Sequence, residues 1–243
     1  MKITVINGTQ NRGCSYKMKE MFLKTLGDGH DITEFNLPKD LPVFCTGCKA
    51  CFHQDISICP NKKYTIPIWD SFKNADVIVI TSSVYVLHAS AQVKAMLDHF
   101  GSKWLAHSPD KEMFLKKAVI ITNCAGQGMK NVIKDIGASL DFWGIAKRYS
   151  IKQALFYTDW DKVDAKTKAK INKQCISVAK MIQEPVKKPR FKIRFLFNMM
   201  KLAHKKLIHD RLQKDGEPET KDYQYWKEQG WFDGNKPWDK NKA

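Results

Sequence analysis

Short apolar runs alternate with amphipathic stretches along residues 1–183, and the two kinds of pattern predict different elements. Continuous runs rich in Val and Ile are typical of strands buried in a parallel sheet. Stretches in which apolar side chains recur every three or four residues predict helices. The predicted strands are 2–7, 31–36, 76–85, 116–123 and 148–157, and the predicted helices are 16–26, 90–103, 130–143 and 163–182. The segment 37–60 shows neither pattern and is expected to be irregular.

The alternation of strands and helices predicts an α/β fold with a doubly wound, five-stranded parallel sheet. For five strands the flavodoxin-like order 2-1-3-4-5 is expected. Sheets of this kind bind ligands beyond the carboxyl ends of the strands, at the switch between the first and the third strand. We therefore expect a domain of residues 1–184 with its site after Asn7, Ile80 and Thr122, followed by a C-terminal helical extension of residues 185–243.

The loop after the first strand, residues 8–15, has the composition of a phosphate-binding turn. Backbone N–H groups at the start of the next helix, together with the helix dipole, favour an anion at such a position. Thr9, Asn11, Arg12 and Ser15 add hydroxyl, amide and guanidinium donors. The spacing fits neither the Walker A loop nor the G-x-G-x-x-G fingerprint. A polar turn without a ligand is the simpler alternative for this loop taken alone.

The loops after the third and fourth predicted strands contain small residues, which allow a planar ring to approach the backbone. Residues 82–90 include a pair of serines and Tyr85, whose ring supplies an aromatic edge. Residues 123–128 include two glycines, which permit close approach or a positive φ. All three loops lie at the edge of the sheet where ligands bind, and together they predict a cofactor site.

Two of these loops resemble a known family. GTQNRGCS, at residues 8–15, resembles the G-S-P-R-x-x-S-N phosphate loop of the NADPH-dependent FMN reductase and flavodoxin-like oxidoreductase family. TSSVYVLHASAQVKAMLDHF, at residues 81–100, resembles that family's T-P-V-Y-x-x-x-x-S-A-Q-x-K-x-x-x-D-R segment. The resemblance spans residues 1–183 and implies FMN as the cofactor and NAD(P)H as the co-substrate. Gln10 and Ser83 stand where the family usually has proline, and Asn11 where it has arginine.

The resemblance also implies which residues bind the cofactor. The residues implied around the FMN phosphate are Thr9, Asn11, Arg12, Cys14 and Ser15. The residues implied beside the flavin ring are Ser82, Ser83, Val84, Tyr85, Asn123, Cys124, Ala125 and Gly126. No catalytic side chain is expected, because the flavin itself carries the redox chemistry. The implied function is an FMN-dependent NAD(P)H oxidoreductase of the flavin or quinone reductase type. The alternatives are a non-enzymatic FMN electron carrier or redox sensor, and a scaffold that no longer binds FMN.

Four of the seven cysteines lie in one loop, residues 45–60. Cys45, Cys48, Cys51 and Cys59 follow the spacing C-x2-C-x2-C-x7-C, and Pro60 follows the last of them. Three closely spaced thiols and a fourth nearby suit a [4Fe–4S] cluster, whereas zinc sites more often use two separated C-x2-C pairs. The spacing also resembles the compact motif of the iron–sulfur flavoprotein branch of the same family. A cluster, a zinc ion, and free or redox-active thiols remain the alternatives.

The net charge of +16 is concentrated in one segment. Residues 185–214 contain ten Lys and Arg residues against Asp210, a net charge of +9. Residues 190–212 predict a basic amphipathic helix, whose apolar face is expected to pack on its own domain or on a partner subunit. An anionic membrane surface and an acidic redox partner are the alternatives. Nucleic acid is not expected, because no groove-reading element is found.

The aromatic segment 223–238 contains too many aromatic residues for a free linker and is expected to pack against the rest of the protein. A homodimer or larger oligomer is also expected.

The remaining composition is that of a soluble protein, with 43% hydrophobic and 27% charged residues. No apolar run approaches the roughly 20 residues that a membrane-spanning helix needs. The chain starts with MKITVINGTQ, whose apolar stretch is too short for the hydrophobic region of a signal peptide. An odd number of cysteines also argues against a disulfide framework. These features predict a cytoplasmic protein.

Overall fold

The computed structural model of the chain describes residues 1–216 and 218–239. Its centre is a five-stranded sheet in which every strand is parallel to its neighbours, in the order β2-β1-β3-β4-β5. The strands are β1 Lys2–Asn7, β2 Asp31–Asn36, β3 Val77–Thr81, β4 Lys117–Cys124 and β5 Lys147–Ala154. The predicted fold class and strand order are confirmed.

Helices cover both faces of the sheet, and further helices follow it. They are α1 Cys14–Leu26, α2 Ala50–His53, α3 Lys62–Asn74, α4 Ala91–His99, α5 Met129–Phe142, α6 Ala165–Gln183, α7 Phe191–Leu202, α8 His209–Lys214 and α9 Lys221–Glu228. A π-helical turn, Ala203–Ile208, joins α7 to α8. None of the described helices is long and apolar enough to cross a membrane.

The three central strands, β1, β3 and β4, are buried on both faces because their alternate side chains enter two separate cores. In β3, Ile78 and Ile80 pack with side chains of α3, α4 and α5 on one face. Val77 and Val79 of the same strand pack with α1 and α6 on the other face. This period of two explains why the strands read as continuous apolar runs.

The structure differs from the sequence prediction in the segment before β3. The sequence predicts no helix between the second and third strands, whereas α3 forms there. Pro67 lies inside α3, and an internal proline normally disfavours a helix because it lacks the N–H donor. Ile68, Trp69 and Phe72 are nevertheless fully buried in the core, and this tertiary packing outweighs the local penalty.

The third strand is also shorter than predicted. The prediction continued it to residue 85, but β3 ends at Thr81. Ser82 and Val84 still donate backbone hydrogen bonds to Ile121 O and Asn123 O of β4, at 3.0 and 2.9 Å, and the chain then turns between Tyr85 and His88. The apolar residues after Thr81 therefore belong to a loop at the carboxyl edge of the sheet.

The C-terminal extension packs on the sheet domain through a third core. The tail aromatics Trp226, Trp231, Phe232 and Trp238 are buried there with Phe197 of α7. Leu105 and Phe114 contribute from the sheet domain. The side chain of Leu207, which the sequence places on the apolar helix face, lies outside the described residues. The segment 223–238 is thus docked, and its rings form edge-to-face and stacked pairs.

A buried carboxylate fixes the start of α7 to α5. Asp141 of α5 is almost completely buried and accepts hydrogen bonds from Arg148 Nε at 2.9 Å and Lys192 Nζ at 2.8 Å. Arg190 also donates to this carboxylate. Gly137, one turn earlier in α5, leaves room for the Arg148 guanidinium, which a Cβ would approach to 2.8 Å. One acidic group therefore holds three cations from two parts of the chain.

Candidate active site

The three candidate loops, which follow β1, β3 and β4, leave the sheet side by side because these strands are neighbours. Asn7 at the end of β1 is in register with Thr81 of β3, and Thr81 is in register with Ile121 of β4. The loops that follow therefore start at one edge, and the switch point predicted from the sequence lies between β1 and β3.

Gly8 ties the first loop to the second. Its N–H donates to Thr81 Oγ1 at 3.2 Å, and its carbonyl accepts a hydrogen bond from Ser90 Oγ at 2.9 Å. A Cβ at this position would lie 2.2 Å from Thr81 O, a backbone atom, and 2.7 Å from Val93 Cγ2. The close approach of the two loops therefore requires glycine at residue 8.

The first loop ends at a helix whose amino terminus carries no side-chain cap. Gly13 is the N-cap residue of α1, no described side chain caps it, and the first turn contains no acidic residue. Thr9 is half-buried, and Asn11 and Arg12 are exposed beside this terminus. The Arg12 guanidinium lies 5.3 Å from the centre of the Tyr16 ring. Free N–H groups, a positive helix end and a nearby cation together suit an anionic group.

A short series of hydrogen bonds joins all three loops. Ser83 Oγ lies 3.1 Å from Ser15 Oγ and donates to Asn123 Oδ1 at 2.9 Å. Ser15 lies in the first turn of α1, directly after the first loop, and is buried, whereas Ser83 of the second loop and Asn123 at the end of β4 are half-buried. The structure thus brings together residues separated by 108 positions, and the contacts are made by neutral groups.

Besides Ser15, three further residues implied at the cofactor have buried side chains that support the loops from inside. The Cys14 thiol lies 3.5 Å from Tyr157 O and 3.4 Å from Thr158 O. Ser82 Oγ donates to Ser83 O and accepts from the backbone N–H of Ser90, each at 3.0 Å. Cys124 is buried at the end of β4.

Burial also determines the ionisation of these two thiols. It raises the pKa of Cys14, and the nearby Asp159 raises it further. Burial likewise raises the pKa of Cys124, although the backbone N–H groups of Gly126 and Met129 oppose this. Both thiols are therefore protonated at neutral pH, and neither is a reactive thiolate.

The second loop ends in a strained apolar turn. Tyr85 and His88 exchange two backbone hydrogen bonds of 2.9 Å, and between them Val86 and Leu87 have φ of 47° and 67°. Such values are rare for residues with a branched Cβ, such as Val86. The Val86 side chain is 95% exposed, and Tyr85 and Leu87 are about half exposed. Ala125 and Gly126 of the third loop are exposed as well.

Sequence reasoning missed a polar network beneath the first loop. Asn7 Nδ2 donates to Glu34 Oε2 at 2.8 Å and to Asn36 Oδ1 at 3.1 Å. Lys19 is buried, and its ammonium group binds both oxygens of Glu34 at 3.0 Å. Lys19 Nζ also lies 3.8 Å from the centre of the Tyr16 ring. The sequence contains no signal for this network, because Lys19 and Glu34 read as ordinary surface residues of a helix and an edge strand.

A fourth loop, after β5, also borders the site. Its residues Tyr157 and Thr158 accept from the Cys14 thiol, and Phe156 and Tyr157 expose their rings. The sequence prediction extended the last strand to residue 157, whereas β5 ends at Ala154. The position of this loop at a carboxyl strand end was the signal that could have identified it.

The four cysteines of the loop 45–60 lie elsewhere, beside α4 and the C-terminal extension. Val43 O lies 3.2 Å from His99 Nε2, and Cys51 O accepts from Lys221 Nζ at 3.5 Å. Cys45 and Cys48 are exposed, whereas Cys51 and Cys59 are half-buried.

The thiols of this loop do not form a metal site in the structure. Burial raises the pKa of the Cys51 thiol, a hydrogen bond with Ser102 lowers it, and Cys59 and Cys45 raise it slightly. Over the described residues, no three Cys, His, Asp or Glu side chains are placed to hold a metal ion together. In this arrangement the four thiols do not fit a cluster, and of the alternatives left open by the sequence the [4Fe–4S] cluster is not supported.

One family of known proteins matches the part of the chain that contains the sheet. The sequence model of a family described as NADPH-dependent FMN reductase matches residues 1–154, which end at the last residue of β5. That segment includes all three loops joined by Ser83. A search of curated proteins found no match.

Solved structures of similar fold include several reductases. An FMN-dependent NADH-azoreductase from Bacillus anthracis in complex with FMN has a TM-score of 0.57 and 15% identity, covering 76% of this chain and 100% of its own. A quinone reductase, described as putative, from Klebsiella pneumoniae has a TM-score of 0.53 and 14% identity, covering 78% and 86%. A flavone reductase has a TM-score of 0.55 and 14% identity over 76% of this chain, which spans only 64% of that protein's length. At sequence identities of 14–15%, the similarity to these structures shows a shared fold and no more.

Proposed function

The chain belongs to the NADPH-dependent FMN reductase family and is an FMN-dependent oxidoreductase, and from this premise we propose that FMN binds in the crevice between the three linked loops. The observation that carries the proposal is the hydrogen-bond series Ser15–Ser83–Asn123, which fixes the loops after β1, β3 and β4 around one space. Ligand binding at this edge is the general rule for doubly wound sheets.

The residues present fit the two ends of the cofactor. The amino terminus of α1, with Thr9, Asn11 and Arg12, offers donors and positive charge for the phosphate. Asn11 stands where an arginine is usual, so Arg12 is the charged group that this loop retains. The ring side is bordered by Ser83, Val84, Tyr85, Asn123, Ala125 and Gly126. When bound, FMN supplies the hydride and single-electron chemistry.

The role of the chain's own residues is to position the cofactor and to limit the access of water. Cys14, Ser82 and Cys124 act from behind, since their buried side chains fix the loop backbones. The turn at Tyr85 and Val86 presents apolar surface beside the crevice. The proposal assigns no side chain as a general acid or base, because the flavin carries the redox chemistry.

A cavity next to the third loop is our candidate for binding NAD(P)H. It has a volume of about 460 Å³ and includes Leu87, Gln127, Lys130 and Lys152 in its lining. The two lysines give it a positive charge that suits the anionic phosphates of a nicotinamide nucleotide. This cavity adjoins the ring side of the proposed FMN site, because Leu87 belongs to the second loop and Gln127 to the third.

The acceptor is proposed to be a small aromatic molecule such as a quinone or an azo compound. The names of the neighbouring azoreductase and quinone reductase support this class. Membership of a reductase family favours turnover of NAD(P)H over the alternative of a non-enzymatic electron carrier. The proposal includes no iron–sulfur cluster, because the four thiols are not placed to hold one.

We also propose how the chain is divided into units and how it associates. Residues 1–184 form the FMN-binding unit, and residues 185–243 form an appendage, of which 217 and 240–243 lie outside the described residues. The exposed apolar side chains around the crevice, Val86, Leu87, Phe156 and Tyr157, are proposed as the contact of a homodimer. Sedimentation equilibrium tests this contact, since Phe156→Ser is expected to shift a dimer towards monomer.

The proposal is tested by adding FMN to flavin-free protein and following flavin fluorescence. We expect Arg12→Ala to weaken FMN binding about 10-fold, because a charged hydrogen bond contributes about 1.5 kcal/mol or more. Ser83→Ala is expected to weaken it about 2–10-fold, as for a neutral hydrogen bond. The matched control is Ser177→Ala, an exposed serine of α6. Oxidation of NADPH by the loaded protein, with a quinone as acceptor, tests the reductase activity. Wild-type protein that takes up no FMN, or equal effects of all three variants, would refute the proposed site.

A further inference from the structure

One face of α7 is apolar and open to solvent. The side chains of Phe191, Phe195, Met199 and Leu202 are 74%, 51%, 42% and 53% exposed. Their spacing of four, four and three residues places them in one line along the helix. The rings of Phe191 and Phe195 stack with their centres 6.2 Å apart. We call these four residues the α7 stripe; at 1.5 Å per residue it is about 17 Å long.

The α7 stripe is not the face that attaches the helix to the domain. Ile193 and Phe197 point the other way and are completely buried in the third core. The start of the helix is fixed independently, by the bonds of Arg190 and Lys192 to Asp141. The exposure of the stripe therefore follows from a firmly placed helix whose inner face is already occupied.

Cations surround the α7 stripe at both ends. Lys187 and Lys188 are exposed just before the helix, and Lys205 and Lys206 are exposed just after it. Within the described residues, none of these four has a carboxylate within 4.0 Å. Arg194 and Lys201 add two half-buried cations on one flank of the helix. The apolar line is thus framed by charge that no described group neutralises.

We propose that the α7 stripe is a docking surface for an anionic lipid membrane. In this arrangement the helix lies in the plane of the interface, its bulky apolar side chains enter the acyl region, and the lysines meet the headgroups. Charge complementarity identifies the occupant, since the segment 185–214 carries a net charge of +9.

Other occupants fit these features less well. A second copy would bring two segments of the same charge together, which is unfavourable. An acidic protein would satisfy the lysines, but it would also have to match a convex row of four apolar side chains. A lipid surface requires no such shape complementarity.

The position of α7 keeps the docked protein functional. The backbone N–H of Arg190 donates to Ala146 O at 3.2 Å, directly before the first residue of β5. The helix therefore begins at the amino edge of the sheet, whereas the three linked loops lie at the carboxyl edge. Docking through the stripe leaves the crevice open to solvent, and the inference does not depend on what the crevice binds.

Co-sedimentation with lipid vesicles tests the proposal. We expect the full chain to bind vesicles of equal parts phosphatidylcholine and phosphatidylglycerol, to bind phosphatidylcholine vesicles far more weakly, and to be partly released by salt. The double variant Phe191→Ser with Phe195→Ser should bind at least about 10-fold more weakly. The matched control is Phe44→Ser, which removes a ring that is 71% exposed just before the cysteine-rich loop and should leave binding unchanged.

A second pair of substitutions tests the charge and guards against misfolding. Lys187→Ala with Lys188→Ala changes only exposed residues outside the helix and should weaken binding about 30-fold, at the contribution expected for each lysine near an anionic surface. A melting temperature close to wild type shows that each variant is folded.

Several outcomes would overturn the proposal. The first is absence of binding to the anionic vesicles, and the second is equal binding to phosphatidylcholine. The third is a dimer in sedimentation that the two phenylalanine substitutions dissociate, which would make the stripe an interface between copies. The last is binding to polyglutamate that is as tight as binding to vesicles and insensitive to those substitutions, which would indicate an acidic protein partner.

Discussion

The loops at the carboxyl edge and the base of the C-terminal extension are both tied together from distant parts of the chain, but with different chemistry. The loops are joined to one another by neutral groups: Ser83 contacts Ser15 and Asn123, and glycine at residue 8 allows backbones to meet. The extension uses a buried carboxylate, Asp141, that holds three cations.

The difference reflects what each region must leave available. Neutral ties in the crevice consume few charged groups, so Arg12 and the amino terminus of α1 remain available to an anionic ligand. At the base of the extension, by contrast, the charges of Arg148, Arg190 and Lys192 are paired with Asp141. We therefore expect substitutions at the two regions to separate stability from flavin binding.

The largest effect is expected for Asp141→Asn. Loss of the charge leaves Arg148 and Arg190 without their anion in a half-buried setting, and breaking a buried ion pair costs about 3 kcal/mol or more. Urea denaturation should therefore show a clear loss in the free energy of unfolding, with FMN affinity unchanged in folded protein. The control is Glu20→Gln, which removes an exposed pair with Lys17 and should cost below about 1 kcal/mol. Equal costs for the two variants would contradict the assignment of Asp141 as the main attachment.

An intermediate effect is expected for Gly8→Ala. The added Cβ would lie 2.2 Å from Thr81 O, so the first and second loops must move apart, at a cost of about 1–3 kcal/mol. Here FMN binding should fall together with stability, unlike in Asp141→Asn. The stability control is Gly126→Ala, because a Cβ there meets no atom within 4 Å. A Gly8→Ala protein that binds FMN normally would show that the crevice does not depend on this contact.

The smallest effect is a pH dependence that should appear in the extension and not in the crevice. Burial lowers the pKa of His204 below its ordinary value of 6.5; Asp222 opposes this shift and His107 adds to it. Below pH 6.5 this histidine binds a proton more readily in the unfolded chain than in the folded one. Its contribution to the free energy of unfolding is therefore complete above pH 6.5 and is lost as the pH falls towards the lowered pKa of the folded chain.

The variant His204→Phe keeps a ring against Trp226, whose centre lies 5.0 Å away, and removes the titration. Unfolding measured near pH 7 and near pH 5 should show a smaller loss on acidification for this variant than for wild type. His53→Gln, an exposed histidine in α2, should behave as wild type. An identical acid response of wild type and His204→Phe would rule out the buried histidine as the source.

The fold could be predicted from the sequence where burial dominates local preference. The central strands β1, β3 and β4 are apolar on both faces, so the parallel sheet followed from the pattern, and the usual order of such sheets gave the edge at which the site lies. The helix α3 could not, because Pro67 argues against it locally and only the buried rings of Trp69 and Phe72 explain it. The end of β3 was misplaced for a similar reason, since Val84 and Tyr85 read as strand residues but belong to a loop.

The candidate site was predictable as a set of loops and less so as a set of side chains. The motif residues lie where expected along the chain, but Cys14, Ser82 and Cys124 turn inwards, and a sequence does not reveal which way a loop side chain points. The pairing of Lys19 with Glu34 was equally hidden, because it depends on the register of an edge strand. The crowding of four cysteines in sequence also gave no measure of their separation in space.

The packing of α6 separates two boundaries that are easily confused, the end of family similarity and the end of the folding unit. The match to the family model ends at residue 154, yet Ile171, Cys175, Val178 and Ile182 of α6 complete the core on the α1 face of the sheet. Each large apolar side chain so buried contributes roughly 1.5–3 kcal/mol. A fragment ending at residue 154 would therefore retain every recognisable motif while exposing one apolar face of the sheet, and it is expected to aggregate.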